Sequence, residues 1–163
     1  MRRPTPERVR ELLSYEESSG VIRWRLGRKG IRAGAVAGCE CLGGRYWVIG
    51  IDRRLYLAHV IAWVIKSGAW PVGEIDHRDT NGRNNRWENL RDVSHAVNMQ
   101  NSRSARINNR AGLLGVTAHP NGRFRATIVI AKKQKHLGYH DTPDQAHQAY
   151  LKAKRELHEG CTL

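Results

Sequence analysis

Apolar positions recur along this chain at two different periods, and each change of period marks an element. Val9, Leu12 and Leu13 share one face of a predicted helix, which Thr5 caps with Pro6 at its first position and Glu7 in its first turn. Ser18-Ser19-Gly20 reads as a turn, and Val21 to Leu26 alternates as a strand. Glycine is frequent from Gly27 to Gly44, which predicts loops or bulges there. Arg45 to Ile51 and Arg54 to Leu57 read as a hairpin turning at Asp52-Arg53, and the spacing of Leu57, Val60, Ile61, Val64 and Ile65 predicts a helix ending at Gly68.

The central segment is shorter in its elements and richer in polar groups. Glu74 to His77 and Leu90 to Val93 read as two short strands around a polar loop, Arg78 to Asn85. Ser94 caps a predicted helix from His95 to about Arg103. The polar run from Asn101 to Gly112 lacks periodicity and reads as a linker, with a domain boundary between residues 105 and 110.

Beyond it, Leu113 to His119 and Arg123 to Ile130 read as strands joined at Asn121-Gly122. Arg123, Arg125, Thr127 and Val129 fall on one face of the second strand, and Phe124, Ala126, Ile128 and Ile130 on the other. A basic loop, Lys132-Lys133-Gln134-Lys135, leads to a third strand, His136 to Tyr139. Thr142-Pro143-Asp144-Gln145 combines an N-cap, a first-turn proline and a capping box; the helix it opens buries Ala146, Ala149, Tyr150, Ala153 and Leu157, and Gly160 can end it.

Length and composition change this picture little: 163 residues, 40% apolar and 26% charged, allow one domain or two small ones. Charge changes it a good deal. The net charge is +13, and it is uneven: residues 1–58 carry 12 basic and 6 acidic side chains, residues 59–105 carry 6 and 5, and residues 106–163 carry 10 and 4. Such an excess suits a polyanionic partner, with nucleic acid ahead of an acidic membrane surface. No apolar run reaches the roughly 18 residues of a membrane span, and the N-terminus leads into a charged helix rather than an apolar signal core. Cys39, Cys41 and Cys161 cannot build a disulfide framework and have no second pair at zinc spacing, so reduced thiols and a cytoplasmic location are expected.

The nearly neutral middle concentrates carboxylates and amides. Such clusters around a glycine read first as turns. They also offer chemistry. If the strand, loop, strand and helix return on themselves, Asp76 and Asn98 come side by side as two oxygen donors suited to a hard divalent cation, Mg²⁺ or Mn²⁺. His77 can take a proton from water, and Asn89 can hold its imidazole by a hydrogen bond.

The order Asp76-His77-x-Asp79-x-Asn81-Gly82-x-Asn84-Asn85-Arg86-x-Glu88-Asn89-Leu90-Arg91, followed by Asn98-x-x-Asn101, resembles the HNH endonucleases of the phage and intron-encoded homing branch. Upstream, Ser19-Gly20-x-x-x-Trp24, Gly34-x-x-x-Gly38 and Ala58-His59-x-x-Ala62-Trp63 before Trp70-Pro71 are similar to the N-terminal part of the same proteins. Gly115-Val116, Arg123-Phe124-Arg125-Ala126, Leu137-Gly138-Tyr139 and the helix containing Ala146 and Ala149-Tyr150 resemble the APETALA2-type DNA-binding domain. Phe124 stands where that domain usually has Trp, and Asn98 stands where many HNH members have His, although the homing branch also uses Asn.

The resemblance implies an α+β chain: a ββα-metal nuclease lobe in residues 1–105 (core 57–103), then a three-stranded antiparallel sheet with one helix in residues 106–163. It implies His77 as general base, Asn89 as the positioning residue, and Asp76 and Asn98 as ligands of Mg²⁺ or Mn²⁺. The expected partner is double-stranded DNA, held by Arg123 and Arg125 on the sheet, Lys132, Lys133 and Lys135 in the basic loop, and Arg106 and Arg110 in the linker. A monomer would nick one strand; a dimer is left open. His59 is read as a structural helix residue, with a role near the metal as the competing reading; His119, His136 and His140 are read as surface or DNA-facing. A non-catalytic DNA-binding protein of the same fold is the rival reading, and an RNA-directed nuclease a third.

Overall fold

The computed structural model describes residues 3–27, 30–101, 105, 108–158 and 161. The chain forms two compact units, Met1–His95 and Ala96–Leu163, both mixing helices with small antiparallel sheets. Among the described residues no helix is long and apolar enough to cross a membrane.

The N-terminal unit opens with α1 (Pro6–Leu12), where the Thr5 side chain accepts from the Arg8 N–H at 3.2 Å. The chain then runs directly into β1 (Leu13–Tyr15), which pairs with β2 (Ile22–Trp24). Sequence periodicity missed β1, because Leu13 continues the apolar face of α1 and its strand partner lies across a turn. A second omission is β3 (Cys39–Cys41), which lies within the glycine-rich stretch read as loops and pairs with β4 (Tyr46–Ile51). The hairpin from β4 to β5 (Arg54–Leu57) turns at Asp52 and Arg53, both with positive φ, the two-residue turn that matches strand twist.

Helix α2 (Ala58–Ser67) follows at once and ends at Gly68, whose φ of 79° and N–H bond to Val64 O close the last turn. Its buried face is Ala58, His59, Ile61, Ala62 and Val64, displaced from the predicted stripe: Val60 and Ile65 are only partly buried. These side chains join Val9, Leu13, Ile22, Trp24, Ile49, Ile51, Ile75 and Leu90 in one core. At about 1.5–3 kcal/mol for each fully buried Val, Leu or Ile, that core dominates the unit's stability. Against it lies the hairpin of β6 (Glu74–His77) and β7 (Leu90–Val93), paired from Glu74↔Val93 to His77↔Leu90, with a short 3₁₀ turn at Trp87–Asn89 before β7. Both strands match their predicted bounds. Helix α3 (His95–Gln100) begins at the junction of the units.

The C-terminal unit is a sheet of β8 (Val116–Ala118), β9 (Phe124–Ile130) and β10 (Lys133–His140) in the order β10-β9-β8, covered by α4 (Pro143–Leu157). Asn121-Gly122 makes the first turn, with Gly122 at φ 80°. Ala126 and Ile128 face the helix and pack with Val116, Ala146, Tyr150 and Ala153, as the alternation of β9 requires; Phe124 joins the same cluster. Thr142 caps α4 by accepting from the Gln145 N–H at 3.2 Å. One expectation for the helix needs correction: Leu157 is 38% exposed, and the buried residue near that end is Lys154, 1% exposed with its ammonium 6.0 Å from the Tyr150 ring centroid. Gly160 lies outside the described residues.

Candidate active site

The β6–β7 hairpin carries the polar centre, and the loop between its strands folds by side-chain capping of its own backbone. Asp79 is the hub: its carboxylate accepts from the Asn81 N–H at 2.8 Å, from Asn84 Nδ2 at 2.7 Å and from Asn89 Nδ2 at 2.9 Å. Burial by itself would raise the Asp79 carboxyl, but these hydrogen bonds outweigh it and hold the group below its ordinary range. Asn89 also accepts from the Asp79 N–H at 3.0 Å and donates to Asn84 O at 2.7 Å. The turn reading of the amide cluster therefore holds for Asp79, Asn81, Asn84 and Asn89.

This corrects one expectation. Asn89 spends its amide on the loop, not on the imidazole; the group on His77 Nε2 is Asn85, whose Oδ1 lies 3.1 Å away. The reason lies in where the chain turns: Asn89 is in the 3₁₀ turn that closes the loop, facing the Asp79 side, while Asn85 sits before that turn beside the end of β6. The backbone still ties Asn89 to the site, because its carbonyl accepts from the Arg78 N–H at 2.9 Å.

His77 is the last residue of β6 and is 5% exposed. Its ring stands edge-on to that of His59, with centroids 4.7 Å apart, and Tyr46 lies beside both rings at 5.6 Å from His59 and 6.3 Å from His77. His59 is equally buried, and its pKa is pushed down to about 3, by burial first and by neighbouring His77 second. Neutral His59 therefore walls the site from the α2 side. Asp76, 8% exposed, takes both Nε and Nη2 of Arg91 on its Oδ2, at 2.9 and 2.7 Å. Arg91 went unassigned in the sequence, yet it was findable: two four-residue strands closing at 77 and 90 place 76 opposite 91.

The N-terminal unit thus gathers Asp76, His77 and Asn89. Asn98 stands in α3 and belongs to the C-terminal unit. Among the described residues no group of three or more His, Cys, Asp and Glu side chains is placed to hold a metal ion. Mg²⁺ keeps several of its waters and takes only one or two protein carboxylates, so Asp76 is a donor of the type it uses, with Oδ2 already held by Arg91. His95, at the start of α3, places Nδ1 2.8 Å from Glu74 Oε1 on the surface.

The basic residues of the C-terminal unit divide. Thr117, Arg125, Thr127, Val129, Gln134, His136 and Tyr139 follow the pairing onto the sheet face away from α4, where the Tyr139 ring lies 5.0 Å from His119 and 4.8 Å from His136. A groove beside that face is lined by Asn108, Asn109, Arg110, Thr117, Thr127 and Gln134. Arg123 precedes β9, and its guanidinium is tied to Asp141 at 3.0 Å and to Tyr139 O at 3.0 Å. The expected basic loop is a two-residue turn, Ala131-Lys132, both at positive φ; Lys133 and Lys135 already belong to β10, paired with Ile130 and Ile128. A tight turn lets the strand begin earlier than its polar composition suggests. Arg106 lies outside the described residues.

Neither a curated protein nor a solved structure matches the chain. The family model for HNH endonuclease matches residues 56–100, from the second half of the β4–β5 hairpin through α3. Less than a third of the chain is covered, but it is the part that holds Asp76, His77, Asn89 and Asn98, and this segment is similar to HNH endonucleases.

Proposed function

We propose that the chain is a metal-dependent DNA endonuclease of the homing, strand-nicking type, in which a ββα-metal lobe cuts and an APETALA2-type sheet holds the duplex. The observation that carries this reading is the Asp76-His77 pair at the end of β6, inside the segment that matches the HNH endonuclease family model. His77 is the general base and takes a proton from the attacking water, a role worth about 10²–10⁴-fold in rate. Arg91 orients the Asp76 carboxylate, and the Asp79 network holds the loop that closes the site. Asp76 and Asn98 would hold the Mg²⁺ or Mn²⁺ ion, which when bound neutralises charge on the scissile phosphate and stabilises the leaving 3′-oxygen.

The away face of the sheet supplies Arg125 for base edges, and Lys132 at the β9–β10 turn and Arg110 supply charge for phosphates. Arg106, Lys133 and Lys135 are kept as further phosphate contacts. Arg123, bound to Asp141, braces the hairpin. A monomer with one such site cuts one strand per event.

A second reading is favoured by a specific observation. His77 is 5% exposed and Asp76 already bears Arg91, the condition of a fold kept for binding DNA without cutting it. Plasmid nicking in Mg²⁺ or Mn²⁺ separates the two. The endonuclease reading expects nicking that disappears in His77→Ala, Asp76→Ala and Asn98→Ala while DNA affinity persists. Absence of cutting in the parent chain on any DNA, with tight binding, establishes the non-catalytic reading instead.

A further inference from the structure

We infer that Asn85, clamped from the N-terminal hairpin by Tyr15, is the residue that sets the tautomer and direction of the His77 imidazole; this rests on His77 acting as the general base. Both side chains are buried, at 6% and 5% exposure, and Asn85 Oδ1 lies 3.1 Å from His77 Nε2. An amide oxygen only accepts, so this contact requires the Nε2–H tautomer and leaves the lone pair on Nδ1. The ring nitrogen that can receive a proton is thereby chosen by Asn85.

An orienting amide is useful only if its own backbone is fixed, and here a distant segment fixes it. The Tyr15 hydroxyl donates to Asn85 O at 2.7 Å, across 70 positions of sequence. Burial, and secondarily Glu17, pushes the Tyr15 phenol up to about 12, so it stays a donor throughout the neutral range. Tyr15 is itself anchored in β1 opposite Ile22 of β2. From the same hairpin, Gly20 sits against the Asn85 backbone so closely that a Cβ there would be 2.6 Å from Asn85 C. The Asn85 N–H closes on Arg83 O at 3.1 Å. Tyr15 and Gly20 both lie outside residues 56–100, so part of the support for the base comes from beyond the segment that matches the nuclease family.

The test uses the full chain and three variants, Asn85→Ala, Asn85→Asp and His77→Ala, with the tautomer of the neutral His77 ring read from its ¹⁵N resonances. Asn85→Asp retains an acceptor in the same place, so it is expected to keep the Nε2–H tautomer and most of the nicking rate. Asn85→Ala is expected to give a mixture of tautomers and to lower kcat about 10²-fold, with KM for DNA changed less than about twofold; a merely structural role would leave the tautomer alone. A single Nε2–H tautomer in Asn85→Ala, or its loss in Asn85→Asp, overturns the assignment. Full nicking by His77→Ala instead overturns the general-base reading, and the tautomer measurement still decides whether Asn85 orients the ring. If Asn85→Ala does not fold, the Asn85→Asp spectrum alone decides, since retention supports and loss refutes.

Discussion

The imidazole of His59 meets that of His77 edge-on, ring planes at 82° and centroids 4.7 Å apart. His59 is buried, and its Nδ1 makes no hydrogen bond among the described residues. A cation there would be desolvated and repelled, which is why the ring's pKa falls from 6.5 to about 3. In the unfolded chain the same ring takes up its proton near 6.5. Between those values the unfolded state binds more protons, so stability is full above about pH 6.5 and declines as pH falls toward 3. From pH 7 to pH 5 the loss is about 2 kcal/mol. His59→Leu removes this dependence; urea unfolding at the two pH values measures it, and an unchanged pH dependence in the variant would contradict it.

Arg91 and Asp76 form a pair with only 14% and 9% of their side chains exposed. Removing one partner of such a pair leaves a buried charge and costs about 3–5 kcal/mol. Arg91→Ala is expected to destabilise the chain by that amount, and Arg91→Ala with Asp76→Asn to recover most of it. Chemical denaturation of the single and double variants gives the coupling directly; no recovery in the double variant would mean that Arg91 supports the hairpin by packing alone.

Gly115 enters β8 at φ 78°, and a Cβ there would lie 2.1 Å from Tyr150 Cδ2. Gly115→Ala must move the ring that anchors α4 and hold alanine in the left-handed region. It is expected to cost the C-terminal unit about 3 kcal/mol. Hydrogen exchange should report lost protection at the amide of Ile128 and unchanged protection at Ile49 of the N-terminal core. Equal losses in both would show one cooperative unit rather than two.

Basic residues of the C-terminal unit should separate in their salt dependence. Lys132 stands at the β9–β10 turn, exposed. As a phosphate contact, its replacement by alanine lowers the slope of log K against log salt by about 0.9 and weakens all sequences alike. Arg125→Ala should cost about 1–3 kcal/mol on the preferred site only. Arg123→Ala should leave the slope unchanged, because that guanidinium is bound to Asp141 and to the Tyr139 carbonyl. Titration of a fluorescent duplex at three salt concentrations distinguishes the three outcomes.

Much of this was legible locally. Thr5 and Thr142 announce their helices because an N-cap is a contact between a residue and the chain three positions on. Asp52-Arg53 and Asn121-Gly122 announce hairpins because the turn conformation is decided by the residues in it. The strands at 74–77 and 90–93, and the apolar face of β9, follow from alternation over a few positions. Even the Asp79 turn network lies within eleven residues, from Asp79 to Asn89, and its chemistry was readable as turn chemistry.

What the local signals left open was which of several chemically equal groups meets which. Asn84, Asn85 and Asn89 are the same side chain within six positions, yet only Asn85 reaches His77 while Asn89 closes the loop. That choice depends on Tyr15 and Gly20 pressing on the Asn85 backbone from a hairpin far upstream. Likewise Lys154 is buried and Leu157 exposed because the Tyr150 side and not the helix end lies under the sheet. Periodicity and spacing determine elements and the chemical types available, since those are short-range properties of the backbone. Partners are settled only when the core of α2, β1, β2 and β4 closes, because a hydrogen bond is decided by distances of tenths of an ångström that only tertiary packing sets.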